Sequence, residues 1–159
     1  IPAVENSIAM DRALDCINAS AANVIAPLAA GIAANAVFFA ALHLLNNGIT
    51  VLAFINLVLF GIFASIYFIK RGNIWGVGAL HSIWNLVQGN FYGISVSGMQ
   101  TSCSVLDSEM VAGRELINGG AFGLEGGLAV TIVLIAGSLI LLMTGQQRYV
   151  EEPAPPAIP

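Results

Sequence analysis

Charge is what this sequence has least of. Of its 159 residues only 9% are Asp, Glu, Lys or Arg, while 57% are hydrophobic, and the mean hydropathy is +0.85. Soluble domains carry roughly 25% charged residues, so the composition speaks against an aqueous globular domain and for an integral membrane protein whose first partner is the lipid bilayer. Basic clusters are missing as well. Five Lys and Arg stand against nine Asp and Glu, a net charge of −4, which removes nucleic acid as a partner. Cysteine is scarce. Cys16 and Cys103 lack metal-type spacing and are too few for a disulfide framework. No basic segment leads into an early apolar run, so no signal peptide is expected. Internal repeats and paired broken helices are absent, which argues against a transporter.

What is present is a succession of long apolar runs. Residues 1–18 mix apolar residues with Glu5, Asp11, Arg12 and Asp15 and predict a short interfacial helix. Residues 19–145 predict a transmembrane helical domain. No charge occurs from Ala19 to Leu45, a first span with Pro27 as a kink. "NNG" at 46–48 is a turn. Val51–Ile69 is a second span closed by "KRGN", Ile74–Tyr92 a third, and Gly126–Thr144 a fourth. The Gly- and Ser-rich stretch 93–125 reads as an extramembrane loop, and 146–159 as a Pro-rich, disordered tail. The fold class expected is therefore all-α, a polytopic bundle of about four spans plus the interfacial helix. With alternating spans, Arg12, Lys70, Arg71 and Arg148 fall on one side and Asp107, Glu109, Glu115 and Glu125 on the other. The positive-inside rule makes the Lys70/Arg71 side cytoplasmic, and Cys16 and Cys103 end on opposite faces. Small residues crowd the first span (Ala29, Ala30, Gly31, Ala33, Ala34), as close helix packing in lipid or an ordinary Ala-rich helix would have it.

Two ionisable residues lie within the spans, His43 and His81. Intramembrane ionisable groups are costly, so each is a candidate for function. In "HSIWNLVQGNFYG" the spacing sets His81, Asn85 and Gln88 on one helix face. Such a stripe could hold zinc through His43 and His81, with Asn85 orienting a substrate or stabilising an oxyanion. It could equally do no more than bond neighbouring helices, or offer a histidine as axial ligand to a tetrapyrrole. Phe39, one turn before His43, walls this face, whereas Trp84 is expected to point away from it. Depth opposes a shared site. His81 lies about 14 Å along its helix from the cytoplasmic turn. With a core about 30 Å thick, the two histidines would differ in depth by roughly 15 Å unless the first span tilts or kinks.

The segments "FFAALHLLNNG", "LAFINLVLFGIFASIYFIKRGNIWGVGALHSIWNLVQGNFYGISVSG" and "GGAFGLEGG", within residues 35–145, resemble the CPBP family of intramembrane proteins, the CAAX-protease and bacteriocin-processing type also called Abi. The FxxxH motif falls on Phe39 and His43, and HxxxN on His81 and Asn85. The resemblance implies an all-helical membrane bundle and a metalloendopeptidase-like site. There a glutamate activates water while His43, His81 and Asn85 assist, and the two histidines meet.

The sequence departs from that pattern at the first motif, EExxxR. Its window reads "VENSIAMDRALDC", without a Glu-Glu pair: Asn6 follows Glu5, and Met10 stands at the arginine position. The one Glu-Glu pair, Glu151–Glu152, lies in the tail. Water activation needs a carboxylate base, for which Glu5 or Asp11 is the available substitute. The reading favoured is a non-catalytic family member acting as a subunit or scaffold among other membrane proteins. The alternatives are an active zinc-dependent intramembrane endopeptidase and a tetrapyrrole-binding subunit.

Overall fold

A computed structural model describes residues 2–144, with side chains from Ala22 onward together with Leu14, Asp15 and Asn18. The expected tail 146–159, with Arg148, Glu151 and Glu152, lies outside the described residues, as do the side chains of Glu5, Asp11, Arg12 and Cys16. The described residues form an all-α bundle. Helix α1 spans Pro2–Ala41, α2 Val51–Arg71, α3 Trp75–Asn85, α4 Glu115–Asn118 and α5 Leu128–Met143. A π-helical turn, Leu86–Phe91, extends α3, and two 3-10 turns, Gly120–Phe122 and Leu124–Gly126, lead into α5.

Local chemistry sets these limits. The Thr50 side chain accepts from Ala53 N–H and starts α2. Gly72, left-handed at φ 69°, ends it with its N–H on Phe68 O, where "KRGN" predicts the stop. Lys70 Nζ donates to Leu142 O and Thr144 O at 3.2 and 3.1 Å. This charge satisfies carbonyls at the C-terminus of α5, where the helix dipole favours a cation. The contact also fixes α2 and α5 as parallel neighbours. Helix α1 runs antiparallel to α2. A Cβ on Gly61 would stand 2.5 Å from Ala36 Cα, so the two backbones touch where both side chains are minimal. Asn35 Nδ2 bonds Ser65 Oγ beside this contact.

Several expectations change. The expected interfacial helix, from Pro2 onward, and the first span are one continuous helix of 40 residues, with Pro27 inside it. Ala29, Ala30, Gly31, Ala33 and Ala34 are exposed, and close packing falls instead on fully buried Ala36 and Ala40. Among the described residues two helical segments are long and apolar enough to cross a membrane, Ala22–Ala41 and Val51–Arg71, while Leu128–Met143 is apolar but shorter. The third expected span is a short α-helix whose last turn loosens to π geometry.

The loop after it is not wholly external. Residues 99–114 are mostly exposed, but Val96, Ser97 and Phe122 are buried and Phe122 joins Ala40, Ala53 and Leu57 in the core. Gly123, at φ 98°, allows this return. A Cβ there would collide with Ser95 O and crowd Gln88 Nε2.

Candidate functional site

The loop's return carries a carboxylate into the bundle. Ser97 and Gly98 both take positive φ, 47° and 80°, between the mutual backbone bonds of Val96 and Met99. This tight reversal has the positive φ pair of a type I′ turn. At its tip Ser97 N–H donates to Glu125 Oε2 at 2.7 Å, and Gly98 N–H to Phe122 O at 2.8 Å. Trp84 Nε1 donates to Glu125 Oε1 at 3.3 Å, and Gln88 Nε2 to Oε2 at 3.4 Å and to Ser95 O at 2.6 Å. Asn56, 1% exposed, anchors the same loop from α2. Its amide donates to Glu125 O and Gly127 O, and its Oδ1 accepts from Thr131 Oγ1 at 2.7 Å. Burial pushes the Glu125 carboxyl up from its ordinary pKa. The Ser97 N–H, the Trp84 and Gln88 donors and a charged His43 act in the other direction.

A cavity of about 660 Å³ opens between α2, α3 and α5, with Phe60, Leu80, Val133 and Leu134 among its apolar walls. His81, Trp84, Asn85 and Glu125 all reach it. Trp84, expected to face away, therefore serves the site. Its position follows from the return of Glu125, a partner 41 residues distant.

The histidines meet through aromatic rings. Phe39 lies 4.8 Å from the His43 ring and 5.9 Å from the His81 ring, centroid to centroid, and Phe60 lies 5.1 Å from His81. The depth difference predicted from span lengths is therefore not realised. Helix α1 ends at Ala41, and His43 sits in the turn just beyond. His43 Nδ1 is 2.8 Å from Phe39 O. A carbonyl only accepts, so Nδ1 carries a proton and donates to it. His43 stands against Phe39 outside the cavity lining, whereas His81 and Asn85 belong to it.

A zinc site on His43 and His81 would need about a third protein ligand. Among the described residues no group of three His, Cys, Asp or Glu is placed to hold a metal ion. The described residues thus supply two histidines and no third ligand. The stripe divides its tasks: Gln88, 2% exposed, ties the loop, His81 lies between phenyl rings, and Asn85 Oδ1 is buried without a partner.

The sequence sets Glu125 among the acids of an extramembrane loop and offers Glu5 or Asp11, near the start of the chain, as the carboxylate. The available signal was an acid inside "GGAFGLEGG", whose glycines allow the chain to fold inward.

Part of the chain is similar to a known family. Residues 15–87 match the model of the family described as Rce1-like, type II CAAX prenyl endopeptidase. The match spans Phe39, His43, His81 and Asn85 and supports membership in the CPBP, or CAAX-protease, family. Neither a curated protein nor a solved structure matches.

Proposed function

Proceeding from membership in the CAAX-protease family, we propose that this integral membrane protein is a non-hydrolysing member. It holds an apolar-chain ligand in the cavity and works as a binding subunit of a membrane assembly. One observation carries this reading. The carboxylate that reaches the cavity, Glu125, has both oxygens engaged by Trp84, Gln88 and Ser97 N–H. A carboxylate so held has a structural task, because its charge-assisted bonds tie the returning loop to α3. The departure at the EExxxR position supports the same reading. The bundle's outer face is apolar, with Val24, Ile25, Leu28 and Phe38 exposed on α1, which suits lipid or a partner helix. The Lys70/Arg71 end faces the cytoplasm by the positive-inside rule.

The test is a farnesylated CAAX peptide offered to the purified chain in lipid nanodiscs, with bound and cleaved peptide both quantified. Retention without cleavage is expected. Cleavage abolished by Glu125→Gln would replace this reading with the active peptidase.

That second reading has its own support, since His81, Asn85 and Glu125 share one cavity. In it Glu125 would be the base and Asn85 the oxyanion donor. Stoichiometric zinc in the purified chain, lost in His43→Ala and His81→Ala, would carry the metal-dependent form. A haem- or chlorophyll-type absorbance band would carry the tetrapyrrole form.

A further inference from the structure

The polar end of the cavity sets an unmet acceptor beside a carboxylate. Several of the donors around it are already used. Trp84 Nε1 is on Glu125, Gln88 Nε2 is on Ser95 O and Glu125, and the Asn56 amide is on two backbone carbonyls. An acceptor is left over. Asn85 Oδ1, in the cavity lining, is buried with no partner, as is Gln88 Oε1 of the following turn, outside the lining. The Glu125 carboxylate stands beside them, with three donors on an acceptor that offers about four sites. Among the described residues no Lys or Arg lines the cavity. A buried acceptor without a donor costs roughly 1–3 kcal/mol. An occupant that supplies a donor recovers that cost, and one that brings a further anion adds repulsion in a low-dielectric site.

Resting on the reading that the cavity holds an apolar-chain ligand, we propose that its ligand is an amphiphile with one apolar chain and a head that donates hydrogen bonds. A hydroxyl or a primary ammonium meets this requirement. A chain ending in a carboxylate or phosphate does not. The apolar walls take the chain, with Phe60, Leu80, Val133 and Leu134 on its sides. The head lies at Asn85 and Glu125, where Trp84 reports on it. The cavity volume of about 660 Å³ falls within the range of sites that enclose small molecules, about 300–1,000 Å³.

The experiment uses the full chain carrying Trp75→Phe, so that Trp84 is the one tryptophan, in phosphatidylcholine nanodiscs. Tetradecanol, tetradecylamine, tetradecanoic acid and tetradecyl phosphate are titrated while Trp84 emission is read. The alcohol or the amine should saturate at about tenfold lower mole fraction than either anion. Asn85→Leu should weaken the preferred ligand about tenfold. Glu125→Gln, which preserves shape, distinguishes the heads: it spares the alcohol and weakens the amine. Anions binding as well as the donors, or no saturable binding by any of the four, overturns the inference. A donor preference in a chain that also cleaves the CAAX peptide leaves the inference standing and removes the non-hydrolysing reading. Anion preference without cleavage does the reverse.

Discussion

Ser97 N–H lies 2.7 Å from Glu125 Oε2, and Ser97 adopts φ 47° to place it there. It is the one non-glycine among the described residues with positive φ. A left-handed residue other than glycine costs about 1 kcal/mol or somewhat more. The turn retains it because the short bond to a carboxylate returns more than that. Ser97→Gly, which frees the backbone and keeps the N–H, should leave stability within about 1 kcal/mol. Glu125→Ala strands the Trp84, Gln88 and Ser97 donors and should cost roughly 2–4 kcal/mol. Thermal unfolding of the two variants in the same detergent reads both effects. Equal losses would mean that the turn's shape, and not its bond to Glu125, holds the loop.

The same carboxylate makes stability depend on pH. Burial raises the folded pKa of Glu125 above its ordinary 4.5, so the folded chain holds this proton more tightly than the unfolded chain. Its contribution is fully present below about pH 4.5 and is lost as pH rises through the folded value. Wild type should lose stability across that window relative to Glu125→Gln, which has no proton to release there. Parallel curves for the two proteins from pH 4 to 8 would show that the donors around Glu125 cancel the effect of burial.

Asn56 presents a sharper case, because every polar atom of its side chain is used. Asn56→Leu fits an apolar neighbourhood by volume, yet it removes the donor to Glu125 O and leaves Gly127 O and Thr131 Oγ1 only the long 3.4 Å contact with each other. A loss of roughly 2–4 kcal/mol is expected. Protease cleavage within 94–127 should rise before α2 or α5 is cut, since the residue pins the loop and not the helices. Uniform digestion would show Asn56 to be a general core residue.

How much could be read beforehand follows from the range of each contact. The all-α membrane class and the α2 span, begun at Val51 and closed by "KRGN", follow from local composition, while the FxxxH and HxxxN residues are marked by the family resemblance. The meeting of His43 and His81 does not. Periodicity gives the face of a helix and not where a chain leaves it, and α1 ends two residues before His43. Glu125 was hidden for a related reason. Its partners Trp84, Gln88 and Ser97 are 28 to 41 residues away, and a glycine-rich loop carries no periodicity to reveal them. Trp84 was misjudged along with it, because a tryptophan facing apolar neighbours gives no sequence sign that its N–H has found a buried acid.

The α1–α2 contact gives a prediction that does not involve the site. Gly61 leaves no room for a Cβ beside Ala36 Cα. Gly61→Val should therefore push the helices apart and cost about 1–3 kcal/mol through overpacking. Ala36→Gly in the same chain should recover part of the loss. Additive losses in the double variant would show that the two positions do not share one contact.

Orientation is open to a direct chemical reading through Cys103, a free and exposed thiol. Its backbone carbonyl accepts from Asn90 at 3.2 Å, at the end of α3 remote from the α2–α3 turn. Lys70 and the C-terminus of α5 occupy the opposite end of the bundle, held together by the Lys70 bonds. If the Lys70/Arg71 end is cytoplasmic, a membrane-impermeant maleimide added outside intact cells should label a Cys16→Ser chain at Cys103. A second chain with Cys103→Ser and a cysteine at exposed Asn73 should stay unlabelled until the membrane is permeabilised. The inverse pattern would place Glu125 and the polar end of the cavity nearer the cytoplasm, and any amphiphile would then have to be drawn from the inner leaflet. Labelling thus decides from which leaflet the donor head enters, because the cavity's polar groups sit at the Cys103 end while its apolar walls run toward Gly137.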